Sequence, residues 1–499
     1  MKIKKLLIAN RGEIARRIMR SASEMGIITV AVYSSADKNS RHVLEADEAY
    51  FIGEAPSSES YLRMDKIIET ARLAGADAIH PGYGFLSENA AFAAAVREAG
   101  LIFVGPSPES IMSMGDKLRA KETARKSGVP LVPGSPAAIE TVEEAIAVSK
   151  NTGFPLLIKA SAGGGGKGMR IVEEESQLEN EMQMAMNEAR AAFGDPTVFI
   201  ERYVQNPKHI EIQVIGDQHG NVVHLFERDC SIQRRHQKVV EEAPSGILTP
   251  EIREAMGRDA VNLAKTCGYY STGTVEFIMD EKLNYYFLEM NTRLQVEHPV
   301  TELITGLDLV KEQIRVAEGH HLSEQVTNAS IRGHAIEIRI CAEDPANQFL
   351  PDVGKLEHFK APGGPGIRLD SGYEEGDEIP IFYDPLMAKL IVYAEDRPAA
   401  IRRMGRAIEK FDLRGVASTL GFCHWVMHHP DFQGGWFDTH FIAKKFDAGM
   451  LQQNPAGDDV KAIAIGLVLM QDKINPLPVE NKKFSGGSKN NWKKNRQFF

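Results

Sequence analysis

Short apolar runs alternate with a helical stripe along residues 1–115. Between the first two runs, Ile14, Ile18 and Ala22 recur at helical spacing, and Gly26 marks the end of that helix. The strand-like runs are KKLLIA, ITVAVYS, ADAIHPG and LIFVGPS. Strands that alternate with helices predict an α/β fold with a parallel sheet, and ligands usually bind at the carboxyl edge of such a sheet. Tyr83, in the loop after the third run, therefore either faces a ligand or packs in the core.

A glycine-rich segment follows at residues 161–168. It joins the strand-like runs PLLIKA and MRIVEEE, with Lys159 before the glycines and Lys167 among them. Phosphate-binding loops that open into a helix use the N-terminus of that helix, whereas this loop joins two strands. Its phosphate ligands would be backbone N–H groups and the two lysines, because glycine lets a backbone approach closely. The alternative interpretation is a flexible surface hairpin.

Alternating polarity also predicts a sheet in the middle of the chain. In HIEIQVIG, His209, Glu211 and Gln213 share one face, and the isoleucines and Val214 share the other. The preceding run TVFIERYV is a short strand that ends in the segment 201–204. The sequence thus predicts a sheet with one apolar face and one polar face that is available to a ligand.

Two carboxylates are predicted to meet across a hairpin. VEFIMD and YYFLEMN flank residues 281–284, and pairing Asp280 with Tyr285 places Ile278 opposite Phe287 and Glu276 opposite Glu289. Carboxylates that face each other on adjacent strands repel unless a cation lies between them. Asn291 points the same way, so the three side chains are a candidate magnesium site.

The segment EMNTRLQVEH at residues 289–298 combines carboxylates, an amide and a guanidinium. These groups suit a metal ion, a small anion and a proton transfer, although a solvated turn has the same composition.

Composition limits the function classes. A chain of 499 residues with 43% apolar and 25% charged residues is expected to form about three domains of a globular protein. A net charge of −10 argues against nucleic acid as a partner. The sequence has no apolar run long enough for a membrane span and no signal peptide, so we expect a cytoplasmic protein. The four scattered cysteines are expected to be core or loop thiols, and the lysine-rich tail looks flexible.

The motifs together closely resemble those of biotin carboxylase, the ATP-grasp subunit of the biotin-dependent carboxylases. The likeness runs from ANRGEIA to about residue 447 and includes the Glu276, Glu289 and Asn291 set and RLQVEHPVTE. It implies an N-terminal Rossmann-like domain (1–115), an ATP-grasp domain (116–334) with a mobile lid (about 132–203), a C-terminal α+β domain (335–447) and a basic tail (448–499).

The resemblance also implies roles for residues at the nucleotide. The residues expected to bind ATP are Lys117, Lys159, Gly164, Gly165, Gly166 and Lys167 at the phosphates, Glu201 and Val204 at the adenine, and His209 and Gln233 near the ribose. Magnesium or manganese is expected at Glu276, Glu289 and Asn291.

The same resemblance assigns the bicarbonate and biotin sites. Bicarbonate is expected at Lys238, Arg293, Gln295, the backbone of Val296, and Glu297, with Glu297 as the base. Arg339 is expected to face the ureido group of biotin, beside Tyr83. ATP would convert bicarbonate to carboxyphosphate, whose breakdown gives carbon dioxide for transfer to biotin. From the residues alone, a structural Arg339–Glu337 pair is the alternative.

No Ala-Met-Lys-Met biotinylation motif occurs, so biotin is expected on a separate carrier protein and acyl-CoA carboxyltransferase on another chain. A homodimer is implied, although Pro365 stands where some members have an aromatic interface residue, and position 202 is arginine where the best-known bacterial members have lysine.

Two other hypotheses stay open: an ATP-grasp ligase that joins a carboxylate to an amine, and a non-catalytic scaffold. The His320–His321 and His428–His429 pairs lack a ligand pattern and are interpreted as surface or packing residues.

Overall fold

The computed structural model describes residues 2–160, 169–193, 195–451, 465–466 and 470. It divides into two compact units, Met1–Ala448 and Gly449–Phe499. The elements below belong to the first unit. The predicted glycine loop and most of the predicted tail lie outside the described residues. No helix among the described residues is both long enough and apolar enough to cross a membrane.

A five-stranded parallel sheet forms the N-terminal region, with strand order β3-β2-β1-β4-β5. Its elements are β1 (Lys5–Ile8), α1 (Gly12–Glu24), β2 (Ile28–Ser34), α2 (Arg41–Glu45), β3 (Glu48–Gly53), α3 (Met64–Leu73), β4 (Ala78–His80), α4 (Ala90–Glu98), β5 (Ile102–Phe103) and α5 (Pro108–Gly115). Ile14, Ile18 and Ala22 are buried on α1, and Gly26 follows the helix with a φ of 74°. The predicted parallel sheet is confirmed.

The next region contains a small antiparallel sheet between helices. The elements are α6 (Lys117–Lys126), α7 (Val142–Thr152), β6 (Leu156–Ala160), β7 (Met169–Val172), α8 (Glu175–Phe193) and β8 (Val198–Arg202), in sheet order β7-β6-β8. Strands β6 and β7 pair antiparallel, from Leu156 with Val172 to Lys159 with Met169. The segment 161–168 therefore connects two paired strands, as predicted.

An eight-stranded antiparallel sheet carries most of the candidate site. Its strand order is β13-β12-β9-β10-β11-β14-β21-β19. The elements up to β14 are β9 (Lys208–Gly216), β10 (Val222–Arg234), β11 (Gln237–Ala243), α9 (Pro250–Thr266), β12 (Ser271–Met279), β13 (Tyr285–Asn291), α10 (His298–Thr305), α11 (Leu309–Ala317), α12 (Glu324–Thr327) and β14 (His334–Cys341).

The C-terminal part of the first unit adds strands and helices around the end of this sheet. These elements are β15 (Glu343–Asp344), β16 (Leu350–Pro351), β17 (Gly354–Lys355), β18 (His358–Lys360), β19 (Ile367–Ser371), β20 (Glu378–Ile379), β21 (Leu386–Ala394), α13 (Arg397–Glu409), β22 (Asp412–Arg414), α14 (Leu420–His428), α15 (Pro430–Gly434) and α16 (Phe441–Lys445). Short 3₁₀ turns lie at Ser35–Asp37, Ser57–Glu59 and Pro345–Asn347.

Both faces of strand β9 are buried. Ile210, Ile212 and Val214 lie in an apolar core that includes residues of α9, whereas Glu211 and Gln213 on the other face are fully buried among polar groups. A buried polar face is stable only if its groups are paired with one another. The alternation in the sequence thus predicted the two faces correctly. The hydrogen-bonded side chains on the polar face form part of the candidate site.

Candidate active site

The hairpin between β12 and β13 has a register that differs from the predicted one at its turn. Met279 pairs with Tyr285 and Phe277 with Phe287, so the predicted Asp280–Tyr285 and Ile278–Phe287 pairs are wrong by one residue. An irregularity between Glu276 and Phe277 leaves Leu288 as an extra residue on β13. This bulge restores the predicted Glu276–Glu289 pair.

Glu276 and Glu289 consequently sit side by side at the end of the hairpin. Although the Glu289 side chain is exposed, desolvation by neighbouring residues and the charge of Glu276 raise its pKa. Burial would also raise the pKa of Glu276, but Lys238 and His209 outweigh burial and hold it well below its usual range. A divalent cation between these two paired carboxylates would relieve their repulsion.

Glu276 also organises the residues around it. Asn291 Nδ2 and Gln295 Nε2 donate to Glu276 Oε1 at 2.9 and 2.8 Å, and His209 Nε2 lies 3.1 Å from Glu276 Oε2. Asn291, Gln295 and His209, which were predicted to lie at the metal, the bicarbonate and the ribose, thus all contact the Glu276 carboxylate. Burial would lower the pKa of His209, but the charge of Glu276 raises it.

Lys238 lies at the centre of three glutamates. Its Nζ is 2.5 Å from Glu211, 2.8 Å from Glu276 and 2.7 Å from Glu297. Burial alone would lower the pKa of a lysine, but the three carboxylates raise the pKa of Lys238 well above its usual range. Lys238 is therefore protonated at neutral pH, and its positive charge is shared among three carboxylates.

Glu297 connects Lys238 to Arg339. Arg339 Nη2 donates to Glu297 Oε2 at 2.9 Å, while Lys238 donates to the other carboxylate oxygen. Burial would raise the pKa of Glu297, but the charges of Lys238, Arg339 and Arg228 lower it well below its usual range. Glu297 is therefore ionised at neutral pH, and each of its oxygens is held by a different cation.

Arg339 does not pair with Glu337. Its Nε donates to Glu241 at 2.6 Å, and both carboxylate oxygens of Glu337 lack a hydrogen-bond partner within the described residues. The alternative interpretation of a structural Arg339–Glu337 pair is therefore wrong. Glu337 and Glu241 face each other across β11 and β14, and burial raises the pKa of both, that of Glu241 to about 7.

A buried arginine that sequence reasoning missed supports the polar face. Arg228, on β10, is fully buried. Its guanidinium donates to Glu211 at 2.5 Å, Gln213 at 2.7 Å, Gln295 at 2.8 Å, Thr301 at 2.9 Å and Thr274 at 3.1 Å. In the sequence, the only indication of this arginine was the polar face of β9, since a buried Glu211 requires a cation nearby.

Arg293 lies at the edge of the cleft. Its Nε donates to Glu88 at 2.8 Å and its Nη2 donates to Asn291 at 2.9 Å. The carbonyl oxygen of Val296 accepts a hydrogen bond from Lys389 at 2.8 Å, which fixes the backbone next to Glu297. Glu88 and Lys389 were not predicted. Glu88 belongs to the loop after β4, at the carboxyl edge of the parallel sheet, where a ligand was expected to bind.

The predicted nucleotide residues form a second charged group. Glu201, buried at the end of β8, accepts from Lys159 at 2.5 Å and from Lys121. Burial would raise the pKa of Glu201, but the two lysines lower it. Lys121 was missed in the sequence, although it stands one helical turn after Lys117 on α6. Val204, two residues beyond β8, is buried.

The remaining predicted residues are distributed around these groups. Lys117 is exposed in the first turn of α6, and Gln233 pairs with Lys238 across β10 and β11. The Tyr83 hydroxyl donates to Glu13, whose carboxylate is 3.2 Å from Lys389. The predicted phosphate-binding residues Gly164, Gly165, Gly166 and Lys167 lie outside the described residues.

The donor set at Glu276, Glu289 and Asn291 fits a magnesium ion. Two carboxylates and one amide oxygen are hard ligands, and desolvation together with the charge of Glu276 raises the pKa of Glu289. Phosphate oxygens of a bound nucleotide would complete the coordination of the ion, because magnesium is commonly held by one or two carboxylates together with substrate phosphates.

The parallel N-terminal sheet, the small antiparallel sheet and the large antiparallel sheet with its carboxylate and lysine groups define an ATP-grasp ligase. The family described as "Biotin carboxylase, N-terminal domain" matches residues 2–111, and "Biotin carboxylase C-terminal domain" matches residues 337–444. Between them, "Carbamoyl-phosphate synthase L chain, ATP binding domain" matches residues 116–325.

Curated relatives agree with these family matches. The chain is 52% identical over 441 residues to "Biotin carboxylase 1" of Bacillus subtilis, a match that covers 88% of this chain and 98% of that protein. It is also 51% identical over 442 residues to "Biotin carboxylase" of a Nostoc species, a match that covers 89% of this chain and 99% of that protein.

Solved structures are similar in fold. The biotin carboxylase domain of a thermophilic 2-oxoglutarate carboxylase bound to bicarbonate has a TM-score of 0.86 and 49% identity, covering 89% of this chain and 98% of that one. A complex of the Hydrogenobacter thermophilus domain dimer with MgADP, ADP and bicarbonate has a TM-score of 0.82 and 50% identity, with the same coverage. The chain belongs to the biotin carboxylase family.

Proposed function

We propose that this chain carboxylates biotin on a separate carrier protein, consuming ATP and bicarbonate and releasing ADP and phosphate. The single observation that carries the proposal is the position of Glu297, which lies 2.7 Å from Lys238 and 2.9 Å from Arg339. One carboxylate thereby joins the predicted phosphate and bicarbonate side of the cleft to the predicted biotin side.

Glu297 is proposed to accept the bicarbonate proton. It is ionised, but the cations beside it make it a weak base in the ligand-free state. When an anionic substrate approaches Lys238, it shares the positive charge that now holds Glu297, and the pKa of Glu297 rises. The carboxylate thus becomes a stronger base when both substrates are bound, which is when bicarbonate must attack the γ-phosphate.

The cations of the cleft are proposed to bring two anions together. Lys238 carries a fixed positive charge among its three glutamates, and Arg293 presents its guanidinium beside Asn291. Bicarbonate and the γ-phosphate repel each other, so preorganised positive groups lower the barrier to their reaction. Bound magnesium would neutralise further phosphate charge at the Glu276 and Glu289 carboxylates.

The lysines at Glu201 are proposed to exchange partners when ATP binds. Lys159 and Lys121 both contact the Glu201 carboxylate in the structure. An incoming phosphate offers Lys159 a stronger anionic partner, while Lys121 is able to keep Glu201 paired. Lys121 would therefore prevent Glu201 from being left as a buried unpaired charge during nucleotide binding.

Arg339 is proposed to stabilise the negative charge that develops on the ureido oxygen of biotin. Its Nε is held by Glu241, which leaves the outer guanidinium nitrogens to reach Glu297 or a ligand. A guanidinium fixed at one edge presents its other donors in a defined direction. Tyr83 is proposed to lie next to the biotin ring.

Finer aspects of the assembly follow from the family. We propose residues 1–115, 116–334 and 335–447 as three domains, residues 132–203 as a lid and 448–499 as a basic tail. The proposed partners are a biotin carboxyl carrier protein, the carboxyltransferase of an acyl-CoA carboxylase, and a second copy of this chain. A cytoplasmic location and a part in fatty acid biosynthesis are proposed on the same grounds.

One assay separates this function from the two alternatives. ADP release by the purified chain with magnesium and ATP is measured with and without bicarbonate and with and without free biotin. Stimulation by both additives supports biotin carboxylation. Turnover that is indifferent to both overturns the proposal in favour of another ATP-grasp reaction, and the complete absence of turnover overturns it in favour of a scaffold.

A further inference from the structure

Two histidines and a glutamate converge away from the active site, at the end of two packed helices. Glu409 is the last residue of α13, and His424 and His428 lie in the last two turns of α14. One side-chain donor atom from each of the three residues lies within 4.8 Å of those of the others. Sequence reasoning considered His428 only together with His429, so this grouping is a finding of the tertiary structure.

The distances suit a tetrahedral metal ion. His424 Nε2 is 3.4 Å from Glu409 Oε1, and the two imidazole rings are 4.2 Å apart with an interplanar angle of 36°. Zinc bonds of about 2.0–2.1 Å at tetrahedral angles place neighbouring ligand atoms about 3.3 Å apart. The separation of His424 Nε2 from Glu409 Oε1 therefore matches that of two ligands of one zinc ion, and the donor atom of His428 lies within 4.8 Å of both.

The tautomer of His428 is set for metal binding. Its Nδ1 lies 2.8 Å from the carbonyl oxygen of His424, so Nδ1 is the donor and Nε2 of the neutral ring carries the lone pair. A backbone carbonyl that holds the second nitrogen of a histidine is the usual support for a metal ligand. The edge of the ring lies against Gly405 of α13, where an added Cβ would be 3.4 Å from His428 Cε1. Nε2 therefore faces the helix that supplies Glu409.

The two helices hold the ligands on a rigid base. Ile408 next to Glu409, and Cys423, Val426 and Met427 around the histidines, belong to one buried apolar core. The C-terminal turn of a helix also carries partial negative charge, which favours a cation at both helix ends. Ligands on packed helices need little reorganisation before they bind a metal.

A cavity of about 550 Å³ opens at this cluster, and its lining includes Glu409 and His428. Arg402, Arg403 and Arg406 of α13 also line it. Their charge opposes a dication, and Arg402 and Arg406 are exposed to solvent, where the high dielectric constant of water weakens that repulsion. The cavity leaves room for water at a fourth coordination position.

We propose that Glu409, His424 and His428 form a binding site for one divalent transition-metal ion, with Zn²⁺ as the preferred ion and water at the open position. Zn²⁺ commonly binds two neutral imidazoles and one carboxylate and leaves its fourth coordination position open. Mg²⁺ binds such a set poorly, because imidazole is not a hard ligand. The site is separate from the proposed magnesium site and bridges α13 to α14.

The test uses the full chain stripped of metals with a chelator. Zn²⁺ binding is measured by titration calorimetry, and Co²⁺ binding by the visible absorption bands of four-coordinate cobalt. The variants are Glu409→Gln, His424→Gln and His428→Gln. The matched control is His320→Gln, which removes one exposed imidazole elsewhere, and Glu276→Gln/Glu289→Gln removes the carboxylate pair of the active site.

We expect the wild-type chain to bind one Zn²⁺ that raises its melting temperature, and each ligand variant to weaken that binding at least about tenfold. His320→Gln and the double active-site variant should retain it. Unchanged affinity in the three ligand variants overturns the proposal, as does an equal loss in His320→Gln. Loss of all binding in the double active-site variant would place the ion there and overturns the proposal as well. Circular dichroism verifies that each variant is folded.

Discussion

Glu276 and Glu289 face each other across β12 and β13 only because Leu288 is an extra residue on β13. The turn of the hairpin has one residue more than its sequence suggests, and the bulge compensates for it. The two carboxylates are thereby brought to the same face, and Glu276 becomes the acceptor for Asn291 and Gln295. The geometry of the proposed metal site thus depends on an irregularity in the sheet.

The repulsion between these carboxylates leads to the first prediction. Glu289→Gln should raise the melting temperature of the metal-free protein by roughly 1–3 °C, because it removes a like-charge pair. The same variant should weaken magnesium-dependent ADP binding at least about tenfold, since it removes a ligand. Calorimetry of unfolding in chelator and titration with MgADP check the two effects. A lower melting temperature in chelator would show that Glu289 is a stabilising residue rather than a metal ligand.

Glu297 is predicted to be needed for chemistry and not for nucleotide binding. Glu297→Gln keeps the shape of the side chain but removes the proton acceptor, so bicarbonate-dependent ATP cleavage should fall by about 10²–10⁴-fold. ADP affinity should stay within about threefold of wild type. The control is Glu324→Gln, which changes an exposed glutamate at the start of α12. Full cleavage activity in the Glu297 variant would exclude Glu297 as the base.

Arg339 is predicted to act in the biotin step. Arg339→Ala should reduce carboxylation of free biotin much more than the slow ATP cleavage that needs no biotin, because its outer nitrogens are directed away from Glu241. The ratio of the two rates, measured on one preparation, is the test. Arg332→Ala, at a position before β14, is the matched control. If both rates fell equally, the role of Arg339 would be to hold Glu297 in place.

Arg228 is predicted to be a structural residue. Arg228→Met removes one of the two cations at buried Glu211, the other being Lys238, and leaves several acceptors unpaired, which should cost about 3–5 kcal/mol in the free energy of unfolding. Urea unfolding measures this cost. Arg414→Met, which removes an exposed arginine paired with Asp412, should change stability by less than about 1 kcal/mol. Equal stability of the two variants would contradict the proposed role.

The pH dependence of the free energy of unfolding should reflect the titration of the Glu241 carboxyl group. Burial is the main reason that its pKa is raised to about 7 from 4.5, with Arg339 acting in the opposite direction. A carboxyl group whose pKa is higher in the folded state binds a proton that the unfolded chain has lost. Its contribution to stability is complete below pH 4.5 and is lost as the pH rises to about 7.

Melting temperatures across this range should therefore decline less steeply in Glu241→Gln than in wild type. The control is Glu324→Gln, which changes an exposed glutamate at the start of α12. An unchanged slope in the Glu241 variant would assign the titration to another group.

The sequence by itself determined the local elements and the chemical types at the site. Alternation in β9 predicted a polar face, apolar spacing predicted α1 and the parallel sheet, and the run from Glu289 to Glu297 predicted metal and anion ligands. These features depend on residues close together in the chain, where the periods of strands and helices dictate which side chains share a face.

Only the tertiary structure decided which charges meet. Glu297 reaches Lys238 and Arg339 across 59 and 42 residues, and Arg228 reaches Thr301 across 73. Such pairs depend on strand order and on the Leu288 bulge, and the local pattern of residues contains neither. The same reason explains why Arg339 pairs with Glu241 rather than with Glu337: in a folded sheet the nearest partner of a charge is set by the neighbouring strand and not by the neighbouring residue.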